Sequence, residues 1–352
     1  PGQRLAAVEI VELKMASLAH GVRLPSTELM RPGQDGLERS APDPAIFGSA
    51  DFIPAQLVQA GAPGFERGQG VAYLVIAPVR WNPATGELER IERVRVRLVL
   101  ESTSERPLER ERIVPDWEDA GIGAAGPGSR AAQPTSLVGG ARRAEPFKAT
   151  QLPSLLGSPV AYVIVTNDAM APAFQQLADW KTQSGVPAVV RTISFIKQQY
   201  PFGADDAERV RLFLRDAYSR WGTKWVLLGG DTDVIPTRFA HTTYYGGEII
   251  STDLYFSCLD GNWNADGDSI YGEGAISYPP APGDSADLLP EVYVGRAPAS
   301  TLAEAQLFVN KALKYQREPV ADYMNNLLSF AEVLFPNPWY AGMETQLDGA
   351  EL

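Results

Sequence analysis

From Tyr162 onward the chain alternates short apolar strands with amphipathic helices, and this alternation constrains the fold more than any other feature. Tyr162-Val163-Ile164-Val165-Thr166 reads as a compact strand. Ala171 to Ser184 follows as a helix, with Pro172 in its first turn, Phe174, Leu177 and Ala178 on one face, and Gly185 where a helix stops. Val186 to Arg191 is a second strand. Asp205 to Trp221 is the clearest helix, carrying Ala207, Val210, Phe213, Leu214, Ala217, Tyr218 and Trp221 at helical spacing. Trp225-Val226-Leu227-Leu228 is a third strand that runs into Gly229-Gly230-Asp231, and Glu291 to Gly295 is another. Thr301 with Glu304 forms a capping box that opens a helix to about Arg317, and Leu327 to Leu334 is a last strand. Short apolar strands separated by such helices predict an α/β fold, a mainly parallel sheet covered on both faces.

The leading residues differ. Val71 to Trp81 is a long apolar run, Asn82-Pro83-Ala84-Thr85-Gly86 has turn chemistry, and Glu87 to Leu100 alternates Val94, Val96, Leu98 and Leu100 with Arg93, Arg95 and Arg97. That predicts a long hairpin within a β-rich, sandwich-like domain over residues 1–101, with short strands and loops before it. Residues 102–158 are rich in Gly, Ala, Ser and Pro and read as a flexible linker or strap, in which Arg142 and Arg143 form a basic pair open to proteolytic processing. Residues 159–352 make up the α/β domain. Pro1 is not a start residue, so the chain reads as trimmed at its N-terminus.

Composition removes several classes. Hydrophobic residues make up 45% of the chain, enough for a proper core, and the net charge of -12 argues against a nucleic-acid partner. No apolar run is long enough for a membrane span. A Walker loop, a dinucleotide fingerprint, a zinc Cys/His cluster and a serine nucleophile elbow are all missing from the sequence, so no organic cofactor is expected.

Ligands and catalytic groups of open parallel sheets gather beyond the carboxyl ends of the strands, where Asp231, Asp253 and Glu332 fall on this reading. Each could equally cap a helix. The densest run of oxygen ligands is Asp260 to Asp268. Counted from Asn262, it puts Asn264, Asp266, Asp268 and Glu273 at the donor positions of a calcium loop, and Gly267 at its sharp turn. Such residues also form ordinary turns, so both readings stay open. Cys258, the one cysteine, lies in the apolar run Tyr255 to Leu259 and reads as strand-borne core filler; only His20 and His241 could serve it as a base.

Taken together, Ala178-Asp179-Trp180-Lys181-Thr182-Gln183-Ser184-Gly185, Trp225 to Asp231 with Val234-Ile235-Pro236, and Pro290-Glu291-Val292-Tyr293-Val294-Gly295-Arg296 resemble the gingipain family of secreted cysteine endopeptidases. The likeness covers roughly residues 160–335. Tyr73 to Leu100 is more loosely similar to the family's β-rich propeptide. The resemblance implies a caspase-like three-layer α/β/α domain, export from a bacterial cell or display on its surface, and a Cys-His dyad that cleaves peptide bonds in protein or peptide substrates.

The family's dyad follows the Pro-Glu-Val-Tyr-Val-Gly-Arg block, so His241 and Cys258 do not match it, and the expected dyad lies beyond Leu352, on a C-terminal remainder that could be a second chain. Leu352 is accordingly read as a processing cut or an artificial end. Glu332 resembles the auxiliary acid that orients the catalytic His. Asp231, Asp287 and Glu291 resemble the family's Ca2+ ligands, and the acid that sets substrate preference should lie near Asp348. The reading is therefore the N-terminal portion of a peptidase zymogen. The alternatives are a sortase-like transpeptidase of the same family, or a non-catalytic, calcium-stabilised surface module that kept the fold.

Overall fold

A computed structural model describes residues 2–24, 44–61, 64–112, 146–242, 248–268, 270–273, 283–318, 333–336 and 339–341. It divides into two compact units, one from the described parts of Pro1–Pro63, Ala72–Thr103 and Val320–Leu352, the other from Gly64–Val71 and Ser104–Pro319.

The first unit is β-rich. Strand β1 (Gln3–Ala19) is followed by the single helical turn α1 (Pro44–Phe47) and by β2 (Val58–Ala60). The short hairpin β3 (Gly64–Glu66) and β4 (Gln69–Val71) comes next in the chain but counts to the other unit. Then come β5 (Leu74–Ile76), β6 (Val79–Asn82) and β7 (Glu87–Ser102). The turn at 83–86 forms as its sequence predicts: Asn82 Oδ1 accepts from the backbone N–H of Ala84 and Thr85, both at 3.0 Å. The apolar run Val71 to Trp81 is not one strand, because it breaks between β4, β5 and β6. The long partner of β7 is instead β1, paired from Gln3↔Ser102 to Ala19↔Leu88 with four register shifts. Opposite charges face each other across this ladder, as in Arg4–Glu101 at 2.7 Å and Arg97–Glu9 at 3.2 Å. The described sheet has the order β1-β7-β6, beside the two-stranded ladder β2–β5.

The second unit holds the parallel sheet, in the order β15-β10-β8-β9: β8 (Tyr162–Thr166), β9 (Ala188–Thr192), β10 (Trp225–Gly229) and, later in the chain, β15 (Tyr293–Ala297). Between them lie α2 (Ala171–Gln183), α3 (Ile193–Gln199) and α4 (Asp206–Asp216), which runs on as a π-helical turn over Ala217–Trp221. The antiparallel pair β11 (Arg238–Thr242) and β12 (Glu248–Thr252), the short helix α5 (Leu254–Ser257), the two-residue strands β13 (Gly261–Asn262) and β14 (Ser285–Ala286), and α6 (Leu302–Arg317) complete it.

Period-two alternation sends successive strand residues to opposite faces. Val163, Val165, Val226 and Leu228 join Val210, Phe213, Leu214, Tyr218 and Trp221 in one core. Ile164 and Leu227 join Phe174, Leu177, Ala305, Val309 and Leu313 in the other. The domain is thus the three-layer α/β/α arrangement that the alternating pattern and the resemblance imply. The predicted capping box of Thr301 with Glu304 forms, and the structure adds a cap at Asp205, whose Oδ1 accepts from Glu208 N at 2.8 Å.

Several expectations are corrected. Cys258 follows a helical turn rather than lying in a strand, because the N–H groups of Phe256 and Cys258 bond back to Asp253 and Leu254. The strap is not loose at its described ends. Leu108 packs on the first core, and Arg112 is bonded on several sides. The strand read over Leu327 to Leu334 is described only from Val333: β16 (Val333–Pro336) pairs antiparallel with β17 (Trp339–Ala341) and joins no parallel ladder among the described residues.

Candidate functional site

At the carboxyl end of the sheet, the turn after β10 is held by backbone bonds. Asp231 N donates to Ala299 O at 3.0 Å, and Asp231 O accepts from Val234 N and Ile235 N at 2.9 Å each. The Asp231 carboxylate accepts from Thr232 N at 2.7 Å. Asp253 is paired with Arg296 on β15, and Ser300 Oγ donates to Asp233 Oδ1 at 3.1 Å. This end therefore carries Asp231, Asp233 and Ser300 on a rigid rim, while Asp253 is committed to structure. Glu332, read for the same end, lies outside the described residues, as do Arg142, Arg143 and Asp348.

The amino end of the sheet holds a second set of acids. Glu291 is 3% exposed and its Oε2 accepts from Leu259 N at 2.6 Å and Asp260 N at 3.2 Å. Asp260 is 4% exposed and its Oδ1 accepts from Leu108 N at 2.6 Å. Glu291 Oε1 and Asp260 Oδ2 have no partner among the described residues. Burial, then the Asp260 charge, pushes the Glu291 carboxyl up to about 8; burial also raises Asp260, against the pull of the Leu108 N–H. Burial and the neighbouring acid thus favour the neutral form of Glu291. Asp287 accepts from Phe65 N at 2.5 Å and Leu289 N at 2.9 Å, and burial raises it too. A Cβ on Gly64 would sit 2.6 Å from the Asp287 carboxylate and force it to shift.

This geometry splits the calcium set implied by resemblance. β10 and β15 are parallel with Trp225 opposite Tyr293, so Asp231 lies past the carboxyl end of the sheet and Glu291 before its amino end. At about 3.3 Å per residue the strand between them alone spans about 13 Å, and each acid lies beyond its end. Asp287 and Glu291 share an edge; Asp231 is not part of it. Sequence reasoning missed Asp260 as their neighbour, because its only signal was membership of an acidic turn.

The calcium-loop spacing fares differently. Ligand oxygens of Asp266, Asp268 and Glu273 lie within 4.8 Å of one another. Gly267 takes the left-handed conformation at φ 78° that the sharp turn demands. Burial and the charges of Asp268 and Asp266 raise the Glu273 carboxyl, the response of acids crowded together. Asp284 braces the loop by accepting from Ala265 N and, at 2.6 Å, from Gly272 N. Asn262 Oδ1 accepts from Asn264 N at 3.1 Å, so the leading Asn closes a turn. The three carboxylates fit a hard divalent cation.

Cys258 is fully buried, and burial pushes its thiol up to about 11. Its described polar neighbour is Ser257 Oγ at 3.5 Å. His241 Nδ1 is buried without a partner among the described residues, and His20 Nε2 meets Ser17 Oγ at 3.1 Å. No described hydrogen bond joins either imidazole to the thiol. A protonated, enclosed thiol is inert.

The sequence profile of peptidase family C25 matches residues 156–350, more than half of the chain. Among solved structures the chain is similar to dimeric latent PorU from Porphyromonas gingivalis, at 21% identity over 53% of this chain and 18% of that one, with TM-score 0.35. It is similar to the complex of RgpB pro- and mature domains from Porphyromonas gingivalis, at 19% identity over 44% and 29%, with TM-score 0.31. It is also similar to the Arg-specific cysteine proteinase gingipain R, at 21% identity over 45% and 28%, with TM-score 0.30. The chain spans less than a third of the length of each of these. No curated protein matches it.

Proposed function

The chain belongs to peptidase family C25, the gingipain family of cysteine peptidases, and from this premise we propose that it is the leading portion of a secreted bacterial cysteine endopeptidase zymogen. The observation that carries the reading is that the family match begins just before β8 and takes in every strand of the described parallel sheet. Peptide-bond hydrolysis by this chemistry needs a thiolate, an imidazole to generate it, and donors for the oxyanion. Cys258 cannot supply the first, being enclosed and protonated. The dyad is therefore assigned to residues outside these 352, with Glu332 as the acid that orients the imidazole. Protein or peptide substrates follow from the chemistry.

In this reading the β-rich leading unit is a propeptide that inhibits the peptidase and aids its folding, and Arg142-Arg143 is a processing site. Among the described residues no helix is long and apolar enough to cross a membrane. Calcium is assigned to the loop that ends at Glu273. Asp266, Asp268 and Glu273 would hold the ion, which would relieve their mutual repulsion and tie the loop down.

The test is peptide hydrolysis by the full gene product, with and without a thiol-alkylating reagent. Hydrolysis should be lost on alkylation and kept in Cys258→Ala. Loss in Cys258→Ala would overturn the assignment of the nucleophile. No hydrolysis of any peptide in a mixed library would favour the second reading, a calcium-stabilised module without chemistry.

A further inference from the structure

A half-open cavity of about 360 Å³ lies beside α4, within the α/β unit. That volume suits a small organic ligand rather than a few waters. Two stretches of chain far apart in sequence wall it. Residues 108–111 form one side, and the turn after α3 with one face of α4 forms the other. The α4 wall runs on into the π-helical turn Ala217–Trp221, from which Ser219 lines the cavity. Such turns occur mostly at functional sites.

Part of the lining is apolar. Leu108 and Leu212 both pack against the first core, and Tyr200, 5% exposed, meets Phe213 edge-on at 6.0 Å. Phe202 stands out instead. Its ring lies 5.8 Å from that of Tyr200, yet it is 71% exposed. The turn that carries it is closed by Gly203 N donating to Tyr200 O at 3.3 Å, so the phenyl is presented on a fixed backbone. An aromatic ring held beside a cavity offers a stacking surface to whatever enters.

The charges divide into paired and unpaired. Arg220 reaches Glu111 Oε1 at 3.4 Å and Asp216 Oδ2 at 3.9 Å, and Tyr200 OH donates to Asp216 Oδ2 at 2.8 Å. Arg215 and Glu109 have no hydrogen bond or ion pair among the described residues. Arg215 is half-buried, and a guanidinium partly withdrawn from water without a partner gains most from an incoming carboxylate. Glu109 is exposed and offers the opposite charge. Glu109, Glu111 and Asp216 together outweigh Arg215 and Arg220, which disfavours a bare anion and favours a ligand that brings a cation of its own.

We propose that this cavity binds short peptides with both termini free, the α-carboxylate on Arg215, the α-ammonium toward Glu109, and an apolar side chain against Leu108, Leu212 and Phe202. The size of the cavity fits a dipeptide, and an internal segment of a protein has no terminal charges to give. The inference goes beyond the peptidase reading and does not depend on it.

The test is calorimetric titration of the full gene product, alkylated beforehand so that no peptide is consumed, with leucyl-phenylalanine, its N-acetyl form and its C-terminal amide. The free dipeptide should bind, and each blocked form should bind about tenfold more weakly, having lost one charge-assisted contact. Arg215→Met should weaken the free dipeptide about tenfold and leave the amide unchanged. Glu109→Gln should weaken the free dipeptide and leave the N-acetyl form unchanged. Melting temperatures equal to wild type separate lost binding from lost folding. No binding of the free dipeptide at millimolar concentration overturns the site, as does equal binding of the three forms. A response of the free dipeptide to Arg215→Met no greater than that of the amide overturns it too, because the carboxylate would then meet another group.

Discussion

The Arg296 guanidinium grips the Asp253 carboxylate with two parallel N–H···O bonds of 2.8 Å, Nε to Oδ2 and Nη2 to Oδ1. Its remaining nitrogen, Nη1, donates to Gly230 O and Ile235 O, also at 2.8 Å each. One side chain from β15 therefore fixes the turn after β10 and the residue that precedes α5. The side chains are 14% and 29% exposed, so the pair is worth more than a surface ion pair.

Arg296→Ala should destabilise the α/β unit by about 3 kcal/mol, since it strands a partly buried carboxylate and two carbonyls. Arg296→Lys should recover less than half, because an ammonium lacks the fork that reaches both partners. Urea unfolding midpoints decide this. A cost under about 1 kcal/mol for the alanine variant would show that the turn holds without the fork.

Glu291 sets a pH dependence with a defined sign. Its carboxyl is raised from an ordinary 4.5 to about 8, so the folded state binds the proton more tightly than the unfolded chain. Stability from this group is fully present below about 4.5 and is lost progressively as pH rises through about 8, by at most about 1.4 kcal/mol per unit. Glu291→Gln removes the titrating group and keeps an oxygen that can accept from the Leu259 and Asp260 N–H groups. It should flatten the slope across this window and be the more stable protein at pH 8. Parallel stability profiles for the two proteins would rule the pair out as the cause.

Cys258 should resist alkylation in the folded protein at pH 8 and react fully once the chain is unfolded in denaturant. Enclosure and a thiol pushed up to about 11 both withhold the thiolate. Cys258→Ala should cost roughly 1–2 kcal/mol, the loss of one small buried side chain. Rapid labelling of the native protein, at the rate of the unfolded chain, would contradict the described burial.

Calcium should raise the melting temperature and chelator should lower it. Asp268→Asn should weaken the response about tenfold in calcium concentration, because the site loses one of three converging carboxylates. Asp231→Asn should leave the response unchanged, since Asp231 is not among the carboxylates that converge in that loop. Melting curves with a calcium titration, supported by elemental analysis, test both. A response to Asp231→Asn equal to that of Asp268→Asn would reinstate the set implied by resemblance.

Local pattern carried much of this protein. The strands at Tyr162 and Trp225, the helix from Asp205, the capping box at Thr301 and the turn at 83–86 were legible because each depends on periodicity, a cap or a turn residue within a few positions. The convergence of Asp266, Asp268 and Glu273 was legible for the same reason, as a spacing within one loop. Burial of Cys258 was legible from its apolar neighbours, although its local conformation was not, since a run of five apolar residues suits a strand and a helical turn alike.

What the sequence determined by itself, then, was the class of each unit and the family to which the second belongs. The tertiary structure decided which distant residues meet. β7 pairs along its length with β1 across more than sixty intervening positions, while the nearer apolar run gives it only the short β6, and no local signal encodes a partner that far away. Asp260 and Glu291 share one buried edge, while Asp231 is carried to the opposite end of the same sheet. That separation follows from parallel strand register, a property of the assembled sheet. Arg112 was one arginine among several in a segment that read as loose. Only the folded chain brings it to the unpaired carbonyls of a helix end and a closed loop, and only there does its charge find partners.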